Sequence, residues 1–109
     1  MMSYLIDDVV RLNNLFDLYQ SLLTSKQQDY FIYYFREDYS LSEIAEIMKV
    51  SRNAVHLQIK KITSYLADYE EKLALLKKQI KRNQLLEDMM KHSSLSKEII
   101  DQIEKIKKV

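Results

Sequence analysis

A chain of 109 residues, of which 47% are hydrophobic and 30% are charged, has the length of one domain and enough apolar side chains for a core. It contains no Gly, Pro or Cys, which excludes P-loop and Rossmann phosphate-binding loops, disulfides, thiolate nucleophiles and cysteine-based zinc sites. The net charge is +1, but residues 1–48 hold three basic and eight acidic residues, whereas residues 72–109 hold ten basic and five acidic ones. We therefore expect a single domain, residues 1–109, whose second half would attract an anionic partner. By itself, this charge pattern is more typical of a solvated helical surface in a lysine-rich protein.

Apolar residues at intervals of three and four predict an amphipathic N-terminal helix that ends near Leu23. Thr24 and Gln27 then have the spacing of a capping box, in which side chains and backbone N–H groups at a helix start satisfy each other. A second helix should begin there. It contains the aromatic run at residues 30–35, whose residue types alone favour a strand. The cap and the absence of turn residues on either side favour a helix.

Within the aromatic run, Phe31, Tyr34 and Phe35 share one face of a helix. Aromatic rings can stack on nucleic-acid bases. Rings at helical spacing more often belong to a hydrophobic core, however. We interpret the cluster as part of the core.

A helix-turn-helix unit is predicted at about residues 40–62. Ser40 and Glu43 repeat the capping-box spacing, and Ser51 is suited to cap a further helix after a short turn. The two helices of such a unit cross steeply, so their contact needs a small residue on the first helix, here Ala45, and apolar residues at fixed places. The residues at those places are Ile44, Met48, Val50, Val55 and Ile59.

Burial of these positions directs a polar set of side chains outward from the second helix of the unit. Arg52 is suited to a guanine edge or a phosphate, Asn53 to an adenine, and Lys60 to the phosphate backbone. The candidate nucleic-acid-binding residues are Ser51, Arg52, Asn53, His56, Lys60 and Lys61. The alternative is a packing unit whose exposed face contacts a protein or nothing.

Several residues of the unit bear on the choice of ligand. Lys49 lies in the turn, where it costs stability if the backbone needs a positive φ angle. Leu57 lies beside the outward polar set, and a leucine there is unusual for DNA reading. The acidic residues Asp38, Glu43 and Glu46 crowd the first helix of the unit, which normally crosses the DNA backbone, so they would repel it. RNA or protein is therefore favoured over DNA.

After Ser51 the sequence predicts one long helix, or two nearly continuous ones, to about Met90, and a short final helix after Ser96. The predicted fold class is all-α. It combines the helix-turn-helix with an N-terminal amphipathic helix, a long C-terminal helix and a short final helix. Residues 66–109 are the C-terminal helical extension.

Apolar residues spaced alternately by four and three form a heptad seam along the long helix. Beyond the helix-turn-helix core, the seam is a possible dimer interface formed by Leu66, Tyr69, Leu73, Leu76 and Ile80. The flanking charges of Glu70 and Lys77 favour antiparallel packing. The seam packs either against the first helix of the same chain or against a second subunit, which would make a homodimer.

No group of residues indicates catalysis. His56 and His92 lie in different segments without a second ligand at metal-binding spacing, and adjacent acidic residues such as Glu70 and Glu71 point apart on a helix. We predict no enzymatic activity, no metal and no cofactor. No apolar run approaches the roughly 18 residues of a membrane helix, and the first residues lack a signal-peptide pattern. We therefore expect a cytoplasmic protein without membrane insertion.

The stretch from residue 15 to residue 76 resembles the YlxM-like family of small bacterial helix-turn-helix proteins, whose motifs resemble the promoter-reading region four of sigma factors. The segment DYSLSEIAEI and the following VSRNAV carry the resemblance most specifically. By position, the resemblance implies a recognition helix from Arg52 to Lys61 with Ser51 as its cap. Where family members commonly have a proline, a turn glycine and a Tyr-Asp pair, this chain has Ser25, Lys49 and His56-Leu57.

Members of the YlxM-like family are typically encoded beside components of the signal recognition particle. The resemblance therefore implies a non-enzymatic accessory or regulator of that particle, which contacts its RNA, its protein or both. The alternatives are a DNA-binding transcriptional regulator and a protein-interaction adaptor without nucleic-acid binding. The salt dependence of binding distinguishes nucleic-acid binding from an adaptor function. Binding to phosphates through Lys and Arg weakens steeply as the salt concentration rises, whereas binding through an apolar interface barely changes.

Overall fold

The computed structural model describes residues 4–92 and 96–108. Every regular element within these ranges is helical, which confirms the all-α prediction. The α-helices of these ranges are α1 Ile6–Tyr19, α2 Ser25–Phe31, α3 Leu41–Met48, α4 Arg52–Leu73, α5 Leu75–His92 and α6 Lys97–Lys108. A 3-10 turn, Gln20–Leu22, follows α1, and a π-helical segment, Ile32–Arg36, extends α2.

The helices form two compact units, which divide between Leu73 and Ala74. The first unit contains α1 to α4, and the second contains α5 and α6. Within the first unit, α1, α2 and α3 each pack against α4. The expectation of a single domain over the whole chain stays a prediction.

The core of the first unit draws apolar side chains from all four of its helices. Side chains with no exposed surface include Phe16, Phe31, Ile44, Val55, Ile59, Ile62 and Leu66. The Phe16 and Phe31 rings stack with centroids 4.2 Å apart and planes within 2° of parallel, and so join α1 to α2. The amphipathic character predicted for α1 is present, since Leu15, Phe16 and Tyr19 face the core.

Both predicted capping boxes are present. The Gln27 N–H donates to the Thr24 hydroxyl at 3.1 Å, and the Thr24 N–H donates to the Gln27 side-chain oxygen at 2.9 Å. The two corresponding distances between Ser40 and Glu43 are both 3.0 Å. The starts of α2 and α3 are therefore fixed by local hydrogen bonds that the sequence spacing predicts.

The aromatic run is helical, as predicted, but part of it is π-helix. The Glu37 N–H donates to the Ile32 carbonyl at 2.9 Å, a bond between residues five apart. Phe31 and Phe35 are buried, which confirms their assignment to the core, whereas Tyr34 is half-buried. Since Tyr33 is half-buried as well, the run presents two rings toward the surface.

The segment after Ser51 forms two helices, the second of the alternatives left open by the sequence. Ala74 separates α4 from α5 and adopts a left-handed conformation with a φ of 53°. A left-handed residue interrupts a right-handed helix. The predicted seam is therefore divided, with Leu66, Tyr69 and Leu73 on α4 and Leu76 and Ile80 on α5.

The seam residues of α4 are mostly engaged within the first unit. Leu66 is fully buried, and the Tyr69 ring lies 5.9 Å from the Tyr19 ring of α1. Leu73 is 45% exposed, as is Ile80 of α5 at 48%, whereas Leu76 is buried. The part of the seam that lies on α4 thus packs against α1, and a homodimer stays a prediction.

In the second unit, α5 and α6 pack together and are joined by a hydrogen-bonded ion pair between Glu87 and Lys107. The hydrogen bond from Lys107 lowers the pKa of the Glu87 carboxyl. Ile103 is buried on the inner face of α6. Among the described residues, no helix combines the length and the apolar character needed to cross a membrane.

A buried polar pair joins α1 to α4 in the first unit. The Tyr19 hydroxyl donates a hydrogen bond of 2.7 Å to the Glu70 carboxylate. Only 1% of Tyr19 and 8% of Glu70 is exposed. Since a buried carboxylate is costly unless it is hydrogen-bonded, this bond makes the burial of Glu70 tolerable.

Replacement of Tyr19 by Phe should lower the free energy of unfolding by about 1–3 kcal/mol, because the buried Glu70 carboxylate loses a donor. The control Tyr33→Phe, at a half-buried position outside this pair, should change it by less than about 0.5 kcal/mol. Urea unfolding followed by circular dichroism measures both values. Equal stability of Tyr19→Phe and the unaltered protein would contradict the role given to the pair.

Candidate nucleic-acid interface

The turn between α3 and α4 has the geometry expected of a helix-turn-helix. Lys49 adopts a left-handed conformation with a φ of 57°, and the Val50 N–H donates to the Ala45 carbonyl at 3.1 Å. That bond, between residues five apart around a left-handed residue, is the mark of a Schellman helix end. The positive φ angle expected at this turn is therefore present, and a lysine occupies it.

The replacement Lys49→Gly should raise the free energy of unfolding by about 0.5–1 kcal/mol. A left-handed non-glycine residue costs about 1–2 kcal/mol, and the extra chain entropy of glycine offsets about half of the gain. Glu46→Gly, in the right-handed interior of α3, is the matched control and should cost about 1 kcal/mol. Urea midpoints that fall for both variants would show that the turn does not favour glycine.

The residues predicted to bring α3 and α4 together lie at their contact. Ile44, Val55 and Ile59 have no exposed surface. Ala45 and Met48 are half-buried. The packing of α3 on α4 is therefore held by the apolar set that the sequence predicts.

The structure brings the six candidate residues to the start of α4. The Ala54 N–H donates to the Ser51 hydroxyl at 3.0 Å, so Ser51 is the cap of α4, as predicted. Of the others, His56 is half-buried, while those exposed to solvent are Arg52, Asn53, Lys60 and Lys61.

The candidate residues do not all share one face of α4. Asn53, Leu57 and Lys60 follow the spacing i, i+4 and i+7 and form the centre of the exposed face. Arg52 and His56, one turn apart, lie on one flank of that face. The Lys61 ammonium lies on the other flank, 5.7 Å from the centre of the Tyr65 ring. A ligand along the face would meet positive charge on both flanks.

The start of α4 is free of acidic residues. From Ile47 to Ala67 the chain contains no Asp or Glu, and its four cationic residues are Lys49, Arg52, Lys60 and Lys61. Positive charge near an exposed helix start adds to the donor N–H groups of the first turn in attracting anions. This part of the first unit is thus suited to a polyanion, although residues 1–48 are acidic in total.

The acidic residues of the helix-turn-helix lie on and before α3. Asp38, Glu43 and Glu46 are exposed. The Ser40 N–H, followed by the Ser40 hydroxyl, lowers the pKa of the Glu43 carboxyl, which therefore remains charged at neutral pH. A duplex lying across α3 would meet these negative charges.

Leu57 is 57% exposed at the centre of the outward face of α4. An apolar side chain at that place does not form hydrogen bonds with base edges, although it can contact the methyl group of thymine or a ring face. It gives the surface a mixed apolar and basic character.

A cavity beside α4 was not predicted from the sequence. It has a volume of about 390 Å³, and its lining includes Tyr34, Tyr39 and Arg52. Tyr34 was interpreted as a core residue, because residue spacing does not distinguish a ring that closes a core from one that lines a cavity at its edge. Among the described residues, no group of three or more His, Cys, Asp or Glu is arranged to hold a metal ion.

The replacement Ser51→Ala should lower the free energy of unfolding by about 1 kcal/mol, because the first turn of α4 loses its side-chain acceptor. Ser64→Ala, on the exposed side of the middle of α4, should leave it unchanged or raise it by up to about 0.5 kcal/mol. Thermal and urea unfolding of the two variants test this directly. Similar losses in both would mean that Ser51 acts only as a helix residue and not as a cap.

Residues 6–106 match the protein family described as "Putative helix-turn-helix protein, YlxM / p13 like". The chain is similar to the UPF0122 protein YofM of Lactococcus lactis subsp. lactis (strain IL1403), with 43% identity over 104 residues that cover 95% of this chain and 94% of that protein. It is also similar to the UPF0122 protein YlxM of Bacillus subtilis (strain 168), with 45% identity over 107 residues that cover 93% of this chain and 97% of that protein. These matches extend over both compact units.

Proposed function

The chain belongs to this family of helix-turn-helix proteins, and we propose from that premise that it binds nucleic acid through α4 and catalyses no reaction. The observation that carries the proposal is the exposed first half of α4, whose sequence contains no Asp or Glu. Its capped N-terminus follows Lys49 and begins with Arg52, and Lys60 and Lys61 lie about two turns further along the helix. Phosphate groups are bound in proteins by this combination of donor N–H groups and Lys or Arg.

The side chains of α4 are suited to different parts of a nucleic acid. Lys60 and Lys61 would hold phosphates, and Asn53 at the centre of the exposed face would read a base edge. Arg52 has the planar guanidinium that binds a phosphate or a guanine edge with two hydrogen bonds. Half-buried His56 would contribute less than the sequence predicts, because part of its surface is already covered.

RNA is the ligand that the charge pattern favours. In DNA-bound helix-turn-helix units the first helix crosses the phosphate backbone. Here that helix carries exposed Glu43 and Glu46, and Asp38 precedes it. RNA that presents loops or single strands can meet α4 without lying along α3. The second unit, residues 74–109, adds nine basic residues against five acidic ones, which supports further contacts with phosphate.

Members of the YlxM-like family are typically encoded beside components of the signal recognition particle, and this extends the proposal to a biological setting. The RNA would be that of the particle, and the protein would act as its accessory or regulator in the cytoplasm. A transcriptional regulator that reads DNA is the alternative disfavoured by the acidic residues of α3.

A protein-interaction adaptor is a second candidate, and the exposed Leu57 favours it. An apolar residue at the centre of the outward face would fit a protein groove better than a duplex. A homodimer is a related proposal and rests on the half-exposed Leu73 and Ile80.

The charge reversals Arg52→Glu and Lys60→Glu should each weaken binding to a labelled single-stranded RNA of about 12 nucleotides by roughly ten-fold. Each should also reduce the slope of log affinity against log salt by about 1, since one phosphate contact is lost. Fluorescence anisotropy over a salt series measures both quantities. Lys26→Glu, a charge reversal on α2, is the control and should leave the affinity within about two-fold of that of the unaltered protein and the slope unchanged.

The adaptor and the DNA-binding regulator give different results in the same assay. An adaptor would bind neither RNA nor DNA, and the reversals would have no effect. A DNA regulator would bind a DNA duplex more tightly than any RNA. Binding that is equally strong in all three charge variants would reject α4 as the contact surface.

A further inference from the structure

The cavity beside α4 opens where several parts of the first unit meet. Its walls come from α1 and the residues before it, the π-helical segment after α2, the loop before α3, the first turn of α3 and the first residue of α4. Its volume of about 390 Å³ lies within the roughly 300–1,000 Å³ of pockets that hold small ligands. The lining residues that matter here are Tyr4, Tyr34, Asp38, Tyr39, Glu43 and Arg52.

Aromatic rings in the cavity are held in place by other rings. Tyr39 is stacked on Tyr33, with centroids 5.5 Å apart and planes 10° from parallel. Tyr34 packs edge-on against Tyr4 at 6.3 Å and against Phe35 at 4.9 Å. Rings fixed in this way lose little freedom when a flat ligand stacks on them.

The charges around the cavity favour a base over a phosphate as its ligand. The lining contains one cation, Arg52, and two carboxylates, Asp38 and Glu43, so a phosphate inside would meet net negative charge. Burial raises the pKa of the Tyr4 and Tyr34 phenols, so these rings are uncharged at neutral pH. Carboxylates accept hydrogen bonds from the exocyclic amino groups of bases, as Asp and Glu do with cytosine.

We propose that this cavity binds one unstacked base of a single-stranded RNA, with preference for bases that carry an exocyclic amino group. The inference rests on the proposed function, because Arg52 belongs both to the cavity lining and to the start of α4. A strand whose phosphates lie along Lys60 and Lys61 can turn one base out toward Tyr39. The base would stack on the aromatic lining and donate to Asp38 or Glu43.

The test compares strands of about 12 nucleotides that carry the same phosphates and different bases. One strand alternates adenosine and cytidine, one contains only uridine, and one contains only abasic ribose. The unaltered protein should bind the adenosine–cytidine strand on the order of 5- to 100-fold more tightly than the abasic strand, with uridine between them. A duplex RNA of about 16 base pairs, with no unpaired base, serves as a further ligand.

The variant Tyr39→Leu should abolish the preference for bases over abasic ribose, because it removes the stacking ring and keeps an apolar side chain. Tyr39→Phe keeps the ring and should keep the preference. Both variants should bind the duplex as the unaltered protein does, since Tyr39 lies outside the phosphate-binding face of α4. A 2-aminopurine placed in the adenosine–cytidine strand should lose fluorescence on binding, and should lose less with Tyr39→Leu.

Equal binding of the adenosine–cytidine and abasic strands by the unaltered protein would overturn the proposal, even if Tyr39→Leu fails to fold. So would a Tyr39→Leu variant with undiminished preference. If either occurs while Lys60→Glu still weakens binding of every strand, the cavity is rejected and the proposed function stands. If no strand binds, both are rejected. Tight binding of free adenosine, without preference among strands, would assign the cavity to a small molecule and also reject the proposal.

Discussion

The burial of one face of α4 is the constraint on which the first unit depends. Val55, Ile59, Ile62 and Leu66 recur at intervals of four and three and have no exposed surface, and α1, α2 and α3 all pack on this helix. Fully burying one such side chain stabilises a fold by about 1.5–3 kcal/mol. Because a helix that buries one face must expose the opposite one, the same packing orients Asn53, Leu57 and Lys60 toward solvent. The interface proposed here is therefore a geometric consequence of the core.

Because the chain contains no glycine, other residues adopt the positive φ angles at its helix ends. Asp38, Lys49 and Ala74 all have positive φ angles, and each lies where one helical segment ends. At Lys49 the backbone cost accompanies a cation that lies two residues before Ser51, the cap of α4. A glycine there would relieve the backbone but remove one of four positive charges from the acid-free stretch. A glycine at residue 49 would thus increase the stability of the turn but decrease the positive charge of the interface.

Much of the fold could be predicted, because its signals are local. Thr24 with Gln27, and Ser40 with Glu43, have the spacing of a capping box, and the family match confirms the resemblance carried by the helix-turn-helix. The end of α4 could not be predicted, since alanine is a strong helix former and nothing marks a left-handed residue at Ala74. The Tyr19–Glu70 hydrogen bond joins residues that are 51 apart in the chain, and local residue spacing does not predict a contact over such a separation. The cavity was missed for the same reason, because its rings and charges come from separate segments.

The proposed function depends on contact between nucleic acid and the exposed face at the start of α4. Chemical-shift mapping of backbone amides in the full chain, titrated with the adenosine–cytidine strand, tests it most directly. We expect the largest shifts between Lys49 and Lys61, with a second group around Tyr39. Shifts confined to other parts of the chain, with the amides of α4 unmoved at saturation, would contradict it.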